Sequence, residues 1–256
     1  MSPGINAQRR SNSGLYYRNG TGYVSVTTIL GALAKPALTY WAAKEVAEFV
    51  AANWDGPIGA LLSTGQKAAA VDLMKGAPWR NRDQAATSGT RIHGIVEDLI
   101  NGLEPDGDDD PQVMAYLAFR RDFEPVTLFS EVTVFNYTAG YAGTLDLLCH
   151  MGGETWLIDF KTGKGVYPEY ALQCNAYARG EIIADGDVDV PMPHVDMAGI
   201  LHLKKNGHYE LVPVVLSDQM FKSFRHVLEA YRWQSEISET ALGAAVRPVQ
   251  GELPLG

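Results

Sequence analysis

The 256-residue chain has few cysteines and no long apolar run. Its two cysteines, Cys149 and Cys174, predict buried, reduced thiols instead of a disulfide framework, because disulfides persist in oxidising compartments. No apolar stretch approaches the length that crosses a bilayer. The first 14 residues, MSPGINAQRRSNSG, are polar and lack the apolar core of a secretion signal. We therefore expect a cytoplasmic protein with no membrane association.

Positive charge is also scarce, since the net charge is −9. This balance argues against binding a polyanion by overall electrostatic attraction, although it does not exclude a local basic channel. Part of the acidity is concentrated at Asp106, Asp108, Asp109 and Asp110, which indicates a solvated loop. A P-loop is absent, so a nucleotide-driven motor would have to be a separate protein. The hydrophobic content of 46% fits a soluble globular enzyme.

The most informative stretch is residues 141–163, YAGTLDLLCHMGGETWLIDFKTG. Two apolar runs flank a pair of glycines, a pattern that predicts a β-hairpin. Charged residues interrupt both runs. Asp146 lies in the first run, and Asp159 and Lys161 lie in the second. A buried strand does not ordinarily carry such charges, so their position needs a chemical reason.

Strand side chains alternate between the faces of a sheet, so residues two apart share a face. We expect Thr144, Asp146 and Leu148 on one face, and Asp159 with Lys161 on one face. If the strands pair, two carboxylates and an ammonium converge. Adjacent carboxylates raise each other's pKa unless a cation lies between them, and hard oxygen ligands suit Mg²⁺ or Mn²⁺. A lysine there could orient or deprotonate a water. The alternative for a lone Asp-x-Lys is an ion pair at a strand end.

Asp146 and the tripeptide Asp159-Phe160-Lys161 resemble the core of the PD-(D/E)XK nuclease superfamily. The nearest resemblance is to RecB-type nuclease domains and to the related phage and CRISPR-associated exonucleases. The segment GTLD, which ends at Asp146, resembles the G-x-x-D strand of the family. The segment LIDFKTG resembles its D-x-K-T strand.

Two predicted helices extend the resemblance. Gln173 and Tyr177 resemble the Q-x-x-x-Y helix of RecB-like members, which implies Gln173 at the edge of an active site and Tyr177 close to substrate. Gly89-Thr90-x-x-His93 resembles the helix that carries an additional metal-binding histidine. Four motifs in the order of the family make the resemblance specific, although each alone is a weak signal.

The resemblance implies a metal-dependent DNA exonuclease that hydrolyses phosphodiester bonds in phage or bacterial DNA recombination or repair. It implies an α/β, restriction-endonuclease-like core, with a central mixed β-sheet flanked by helices. DNA is then the partner, a recombination or single-strand-binding protein is a further candidate partner, and the compartment is the cytoplasm of a bacterium or a phage-infected host cell. An iron–sulfur cluster is not expected, because two cysteines cannot supply the four ligands found in some CRISPR-associated relatives.

The resemblance also implies roles for single residues. Asp146, Asp159, His93 and the Phe160 backbone carbonyl would hold Mg²⁺ or Mn²⁺. Lys161 would position and activate the attacking water. No covalent intermediate is needed, and no serine–histidine or cysteine–histidine nucleophile pattern competes with this assignment.

Several neighbouring residues have two interpretations each. Glu97 follows His93 by four residues, so it could ligate a second ion, hold a water or orient the histidine, or the two could form a surface pair. Glu131 lies near the metal if the resemblance extends to its strand, or it is structural. Thr144 is a candidate for substrate contact. The alternative for Gln173 is ordinary packing on the sheet, as it is for Tyr177.

Residues 79–91 are the candidate contact with a nucleic-acid backbone, because guanidinium groups fork onto phosphate oxygens. Arg80, Arg82 and Arg91 would supply these contacts. The alternative is an ordinary solvated connector before a helix from Arg91 to Asn101.

The chain is predicted to divide into a flexible tail (1–14), an N-terminal hairpin and helical lobe (15–86), a nuclease core (87–239) and a second flexible tail (240–256). The expected elements include helices over 38–52, 58–74, 91–101, 112–123, 168–184 and 217–236, strands over 129–136, 198–204 and 209–216, an acidic loop over 185–193 and a type I′ turn at Asn206-Gly207.

Two rival functions fit parts of the sequence. A catalytically silent, nuclease-like module would only bind DNA or a partner protein, but the intact Asp146, Asp159 and Lys161 argue against it. A metal-dependent hydrolase of a small phosphorylated substrate is the other rival. A deep closed pocket would favour that hydrolase, and an open basic groove would favour the nuclease. Digestion polarity, strand preference, metal count and oligomeric state are not specified by the sequence.

Overall fold

The computed structural model describes residues 14–104, 109–186 and 188–246. Most of the two predicted tails, residues 1–13 and 247–256, lies outside the described residues. Asp106 and Asp108 of the predicted acidic loop also lie outside them. Within the described part of the chain, no helix is long and apolar enough to cross a membrane.

A nine-stranded mixed sheet forms the centre of the described structure. Its main order is β7-β6-β3-β4-β5-β8-β9, and β2 joins β1 to β4. The β5–β8 and β2–β4 pairs are parallel, and the other pairs are antiparallel. The strands are β1 (Leu15–Arg18), β2 (Thr21–Ser25), β3 (Val126–Asn136), β4 (Tyr141–Met151), β5 (Glu154–Lys161), β6 (Ile182–Asp185), β7 (Val188–Pro191), β8 (Met197–Leu203) and β9 (Tyr209–Val214).

Helices cover both faces of this sheet, which confirms the predicted α/β class with a central mixed sheet flanked by helices. The α-helices are α1 (Val26–Leu30), α2 (Pro36–Asn53), α3 (Gly59–Ser63), α4 (Lys67–Lys75), α5 (Ala77–Ile100), α6 (Pro111–Phe123), α7 (Glu169–Ala178) and α8 (Asp218–Arg232). Single π-helical turns follow α2 and α8, at Trp54–Ile58 and Trp233–Ile237.

Two buried clusters attach the helices to opposite faces. On one face α7 and α8 pack against β4 and β5, with Cys174 and Phe224 among the buried contacts. On the other face α5 and α6 pack against the same strands through Ile92 and Phe119. Burying such side chains contributes about 1.5–3 kcal/mol each. The helix that carries His93 and the helix that carries Gln173 therefore lie on opposite sides of the sheet.

The sheet opens between β4 and β5. Their antiparallel pairing ends at Leu147 and Ile158, and the rest of β5 pairs only with β8. The other edge of β4 stays paired with β3 along most of its length. Near its start, β4 instead accepts β2 as a parallel neighbour at Tyr141 and Ala142, in the place that β5 has left. The result is a gap between residues 143–146 of β4 and the end of β5.

Helix α5 is longer than expected, which corrects the prediction of a helix that starts only at Arg91. The helix begins at Ala77 and runs unbroken to Ile100, so the supposed connector over residues 79–86 is helical. Pro78 occupies the first turn, where a missing N–H costs nothing. Gly89 and Gly94 lie inside the helix, where each costs about 1 kcal/mol relative to alanine, too little to break it.

Four other predictions were wrong in detail. The expected helix over 58–74 is divided into α3 and α4 at Gly65, whose φ is +76°. The expected helix over 168–184 ends at Ala178, and residues 182–184 pair with β3. The expected loop over 185–193 contains strand β7. In the β8–β9 turn the N–H of Gly207 donates to the Lys204 carbonyl and only Gly207 of the Asn-Gly pair has positive φ, so the turn is not type I′.

The continuity of α5 predicts the effect of a substitution at Ala85, an exposed residue in its middle. Ala85→Gly should lower the free energy of unfolding by about 1 kcal/mol, because glycine loses more backbone entropy in a helix interior. The corresponding fall in Tm is about 2–4 °C. Ala244→Gly, in the coil after the last helical turn, is the matched control and should have little effect. Equal stability of the two variants in urea denaturation would contradict the continuous helix.

Candidate active site

Three side chains from three elements meet at the gap. His93 of α5, Glu131 of β3 and Asp146 of β4 each offer one ligand atom, and these atoms lie within 4.8 Å of one another. The Nδ1 atom of His93 is 3.8 Å from Asp146 Oδ1 and 4.0 Å from Glu131 Oε1. All three side chains are partly buried. This group, which we call the His93 cluster, combines one imidazole and two carboxylates.

A local irregularity in β3 and β4 turns the two carboxylates towards the gap. Ladder pairing runs up to Val132 and Leu145, skips Glu131 and Asp146, and resumes beyond them. Glu131 has a φ of +49°, which is uncommon for a residue with a side chain. Strict alternation therefore fails here, and Leu145 and Leu148 pack in the same cluster although they are three residues apart.

The predicted face of Thr144, Asp146 and Leu148 is corrected by this irregularity. The Thr144 hydroxyl lies 3.0 Å from the hydroxyl of Tyr16 on β1, whereas Leu148 packs in the core beneath α7 and α8. The irregularity between these residues therefore places the Leu148 side chain away from that of Thr144. A contact between Thr144 and substrate stays a prediction.

A backbone contact fixes Asp146 at the end of the paired region. Its Oδ2 accepts a hydrogen bond of 2.6 Å from the N–H of Phe160. The carboxylate thus satisfies an N–H that a ladder partner would otherwise satisfy. The Phe160 side chain points away into the core beneath α5 and α6, with its ring centroid 5.9 Å from that of His93. Only the backbone of Phe160 is available to a metal, and its role as a ligand stays a prediction.

Asp159 and Lys161 form the second part of the site, on the face that α7 covers. Gln173 of α7 donates from Nε2 to Asp159 Oδ1 at 2.8 Å. The other oxygen, Asp159 Oδ2, lies 2.6 Å from Lys161 Nζ. This contact is a buried ion pair, and Oδ2 has no further hydrogen-bond donor among the described residues. The Lys161 ammonium also lies 4.7 Å from the ring centroid of Tyr170, within the range of a cation–π interaction.

Two glycines allow the helices to approach the strands closely. A Cβ at Gly143 would lie 2.5 Å from Cε1 of Tyr177, so only glycine fits beneath that ring. A Cβ at Gly89 would lie 3.1 Å from Oγ1 of Thr162. Tyr177 is only 2% exposed, and its hydroxyl accepts a hydrogen bond from Gln173. The structure therefore places Tyr177 beneath β4, supporting Gln173.

Burial makes the carboxyl groups of the site resist ionisation. Burial and then the nearby Asp146 and Glu97 carboxylates raise the pKa of Glu131 to about 8. Burial raises the pKa of Asp159 to about 6, despite the adjacent Lys161 ammonium. Burial also raises the pKa of Asp146, against the opposing effect of the same ammonium. The site therefore holds more carboxyl groups than its single lysine can compensate in ionised form, and Glu131 is mostly neutral near pH 7 in the metal-free protein.

The same surroundings lower the pKa of His93 and raise that of Lys161. Burial and the Lys161 ammonium lower the pKa of His93, so its imidazole is neutral near pH 7. Burial alone would lower the pKa of Lys161, but the Asp159 and Asp146 carboxylates outweigh burial and raise it. A neutral imidazole is available as a ligand, whereas the ammonium is not.

These donors fit a divalent cation. Carboxylate oxygens and a neutral imidazole suit metals of this charge. A cation would also compensate the clustered carboxylates and would neighbour Asp159 Oδ2, which has no donor other than Lys161 among the described residues. Asp159 is not part of the His93 cluster by ligand distance, so its direct ligation stays a prediction.

A cavity of about 370 Å³ lies in front of the His93 cluster. Thr90 and Gly94 are exposed at its rim, so the cavity opens to solvent and is not a deep closed pocket. Glu97 lines the cavity one turn beyond His93, on the same side of the helix as predicted. The lining residues are Gly89, Thr90, His93, Gly94, Glu97 and Glu131.

The three predicted arginines are not brought to this cavity. Arg80 donates to the Leu73 carbonyl and lies over the ring of Phe49. Arg91 forms an ion pair with Asp110. Arg82 is exposed farther along α5. None of the three lines the cavity as far as the described residues show, and their contact with phosphate stays a prediction.

The sequence patterns do not assign two residues of the site. Glu131 was left with two interpretations, and the structure places it in the His93 cluster. Tyr170, which contacts Lys161, was not singled out. It precedes Gln173 by three residues, so the shared face of a helix was the available signal. The positive φ of Glu131 left no signal in the sequence.

Comparison with known proteins adds little. No protein-family profile matches the chain, and no curated protein matches it. A similar solved structure is that of an alkaline exonuclease (LHK-Exo) from Laribacter hongkongensis. The two chains share 11% sequence identity with a TM-score of 0.42, and the match covers 85% of this chain and 91% of the other. A likeness this distant carries no inference about the present chain.

The raised pKa of Glu131 predicts how stability changes with pH in the metal-free protein. The carboxyl is neutral in both states below its ordinary pKa of 4.5, and the folded state resists its ionisation until about pH 8. The contribution of this carboxyl to the free energy of unfolding is therefore fully present below pH 4.5. It is lost as pH rises to 8, by at most about 5 kcal/mol. Glu131→Gln should match the wild type at pH 5 and be more stable at pH 9.

Urea denaturation in EDTA at pH 5, 7 and 9 measures this difference. Glu154→Gln, at an exposed carboxyl on β5, is the matched control and should follow the wild type throughout. If Glu131→Gln were as stable as, or less stable than, the wild type at pH 9, the raised pKa of Glu131 would be refuted.

Proposed function

We propose that this protein is a metal-dependent deoxyribonuclease that hydrolyses phosphodiester bonds, and an exonuclease in preference to an endonuclease. One observation supports this proposal most strongly. Four sequence motifs that span residues 89–177 contact one another in pairs at one site. His93 approaches Asp146, Gln173 holds Asp159, and Gly143 receives Tyr177. Independent structural roles would not bring all four motifs to the same gap.

The metal-binding residues in this proposal are His93, Asp146, Asp159 and the Phe160 carbonyl, joined by Glu131. Mg²⁺ or Mn²⁺ held there would supply Lewis-acid stabilisation of the charge that develops on the phosphoryl oxygens and the leaving oxygen. The neutral imidazole of His93 donates a lone pair without adding charge. The carboxylates supply the negative charge that a divalent cation requires.

Lys161 positions the attacking water in this proposal. Its raised pKa keeps the ammonium protonated at neutral pH in the metal-free state, so it acts as a hydrogen-bond donor that orients a water and compensates negative charge. Asp159 and the Tyr170 ring hold the ammonium from two sides. Gln173 in turn fixes the Asp159 carboxylate. This arrangement restricts the lysine to one position, as positioning of a reacting water requires.

The open cavity supports a polymeric substrate over a small enclosed one. Its rim residues are exposed, so a strand can enter without a domain having to move. DNA is the proposed partner, with a recombination or single-strand-binding protein as a further one. Glu97, on the cavity wall, is proposed to hold a water or a second cation. Phage or bacterial recombination or repair is the proposed setting.

A nuclease assay tests the proposal. Linear single- and double-stranded DNA with labelled ends, and a closed circle, are incubated with Mg²⁺, Mn²⁺ or EDTA. Wild type should degrade linear DNA only with metal. Lys161→Ala and Asp146→Asn should each lose activity by about 10²–10⁴-fold, because each removes a group that acts on the reacting atoms. Lys164→Ala, an exposed lysine three residues away, should retain full activity.

The other outcomes discriminate between hypotheses. Cutting of the circle would assign an endonuclease. DNA binding without cleavage under either metal would favour the catalytically silent module. Neither binding nor cleavage would refute the nuclease and favour a small phosphorylated substrate.

A further inference from the structure

One side of helix α5 continues from the cavity towards the N-terminal end of the helix. Trp79, Arg82, Ala86 and Gly89 precede His93 by 14, 11, 7 and 4 residues. At about 100° per residue, all four lie within about 40° of His93 around the helix axis. Gly89 and His93 line the cavity, so this row of residues, which we call the α5 row, leads out of it for about 21 Å.

The opposite side of α5 is occupied by the N-terminal helices. Asn81 donates to Glu45 of α2, and Arg80 donates to the Leu73 carbonyl of α4. Trp79 is 57% exposed and the side chain of Arg82 is 59% exposed, and neither donates a hydrogen bond to the N-terminal helices among the described residues. The α5 row therefore faces solvent over its outer half.

The outer half of the row combines an aromatic ring and a cation. The Arg82 guanidinium lies 4.7 Å from the ring centroid of Trp79. Arg82 also pairs with Asp83, but both are exposed, and such pairs contribute little. An exposed indole stacks on a base whatever its sequence, and a neighbouring guanidinium binds phosphate oxygens. Ala86, between this pair and the cavity, has a small exposed side chain that leaves room for a backbone.

The charge near the α5 row is more favourable for an anionic strand than the net charge of the complete chain. Residues 35–86 contain six basic and five acidic side chains, whereas the complete chain has a net charge of −9. The acidic excess is therefore located elsewhere. A polyanion that approaches the outer part of α5 meets no net repulsion from this lobe.

We propose that the α5 row binds single-stranded DNA that leads into the cavity, with a base on Trp79 and a phosphate on Arg82. The proposal rests on the nuclease function above and defines its substrate as an unpaired strand. An unpaired strand is required because a duplex covers the base faces that an indole would stack on. The row holds about four to six nucleotides at 3.4 Å or more per nucleotide. Arg80 and Arg91 lie about 140° or more from His93 around the helix, so they take no part.

Fluorescence anisotropy in EDTA, which prevents cleavage, tests the row with labelled oligothymidylates of 12 and 3 nucleotides. Trp79→Ala and Arg82→Ala should each weaken binding of the 12-mer about tenfold, as loss of one stacked base or one phosphate contact does. Binding of the 3-mer, which is too short to reach from the cavity to Trp79, should change much less. Trp79→Phe should keep most of the affinity, because it keeps a stacking face.

A matched variant controls for charge. Lys67→Ala, at an exposed lysine of α4, should change binding of the 12-mer less than twofold. Arg82→Ala should also lower the slope of log affinity against log salt concentration by about 0.7, the value for one phosphate of a single strand. If Trp79→Ala and Arg82→Ala bound the 12-mer as tightly as the wild type does, the proposal would be overturned. Equal losses for a 12-base-pair duplex would overturn it too.

A small substrate separates failure of the row from failure of the site. Bis(p-nitrophenyl) phosphate, a phosphodiester that fits within the cavity, is hydrolysed with Mn²⁺ if the proposed function holds. Trp79→Ala and Arg82→Ala should hydrolyse it at the wild-type rate, and a matching loss there would overturn the assignment of both residues to the row. If the wild type cleaves neither this ester nor DNA, the nuclease function fails, and the binding results still decide whether the row holds a single strand.

Discussion

The site depends on where β4 and β5 stop pairing. The ladder ends at Leu147 and Ile158, and the Asp146 carboxylate takes the Phe160 N–H that a further pair would have used. Had the ladder continued, the sheet would have separated the helices on its two faces. Because it opens, a histidine from α5 on one face and the Asp159–Gln173 pair beneath α7 on the other reach the same gap. The candidate site is thus built from both layers of the fold.

Electrostatics gives this gap its chemical character. Three carboxyl groups, the buried one of Asp159 and the partly buried ones of Glu131 and Asp146, face a single ammonium, and each has a raised pKa. A fold selected for stability alone would not gather them, because each resists ionisation in the metal-free state. A bound cation would instead favour the ionised form of these groups, because the carboxylates would become its ligands. The two apolar clusters on either side of the sheet supply the stability that the site lacks.

Much of the site was predictable, because the charges of Asp146, Asp159 and Lys161 in apolar strands needed a chemical explanation. Their convergence was expected from strand periodicity and pairing, whereas the structure brings them together where the pairing of β4 and β5 ends. The details that failed depend on tertiary structure. The irregularity in β3 at Glu131 requires a positive φ, and a glutamate in the sequence does not indicate a positive φ. Strand β6 was taken for the end of a helix, because its residues become a strand only by pairing with β3. Helix α5 begins well before the expected start at Arg91, because the N-terminal helices that pack against it stabilise its first turns.

The central claim is that one divalent cation binds where the two faces of the sheet meet. Anomalous diffraction from crystals grown with Mn²⁺ tests this claim most directly. The account predicts a manganese peak within bonding distance of His93 and Asp146, next to Asp159, that disappears in Asp146→Asn crystals grown under the same conditions. A well-ordered site without such a peak at saturating Mn²⁺, or a peak held only by residues outside the gap, would contradict it.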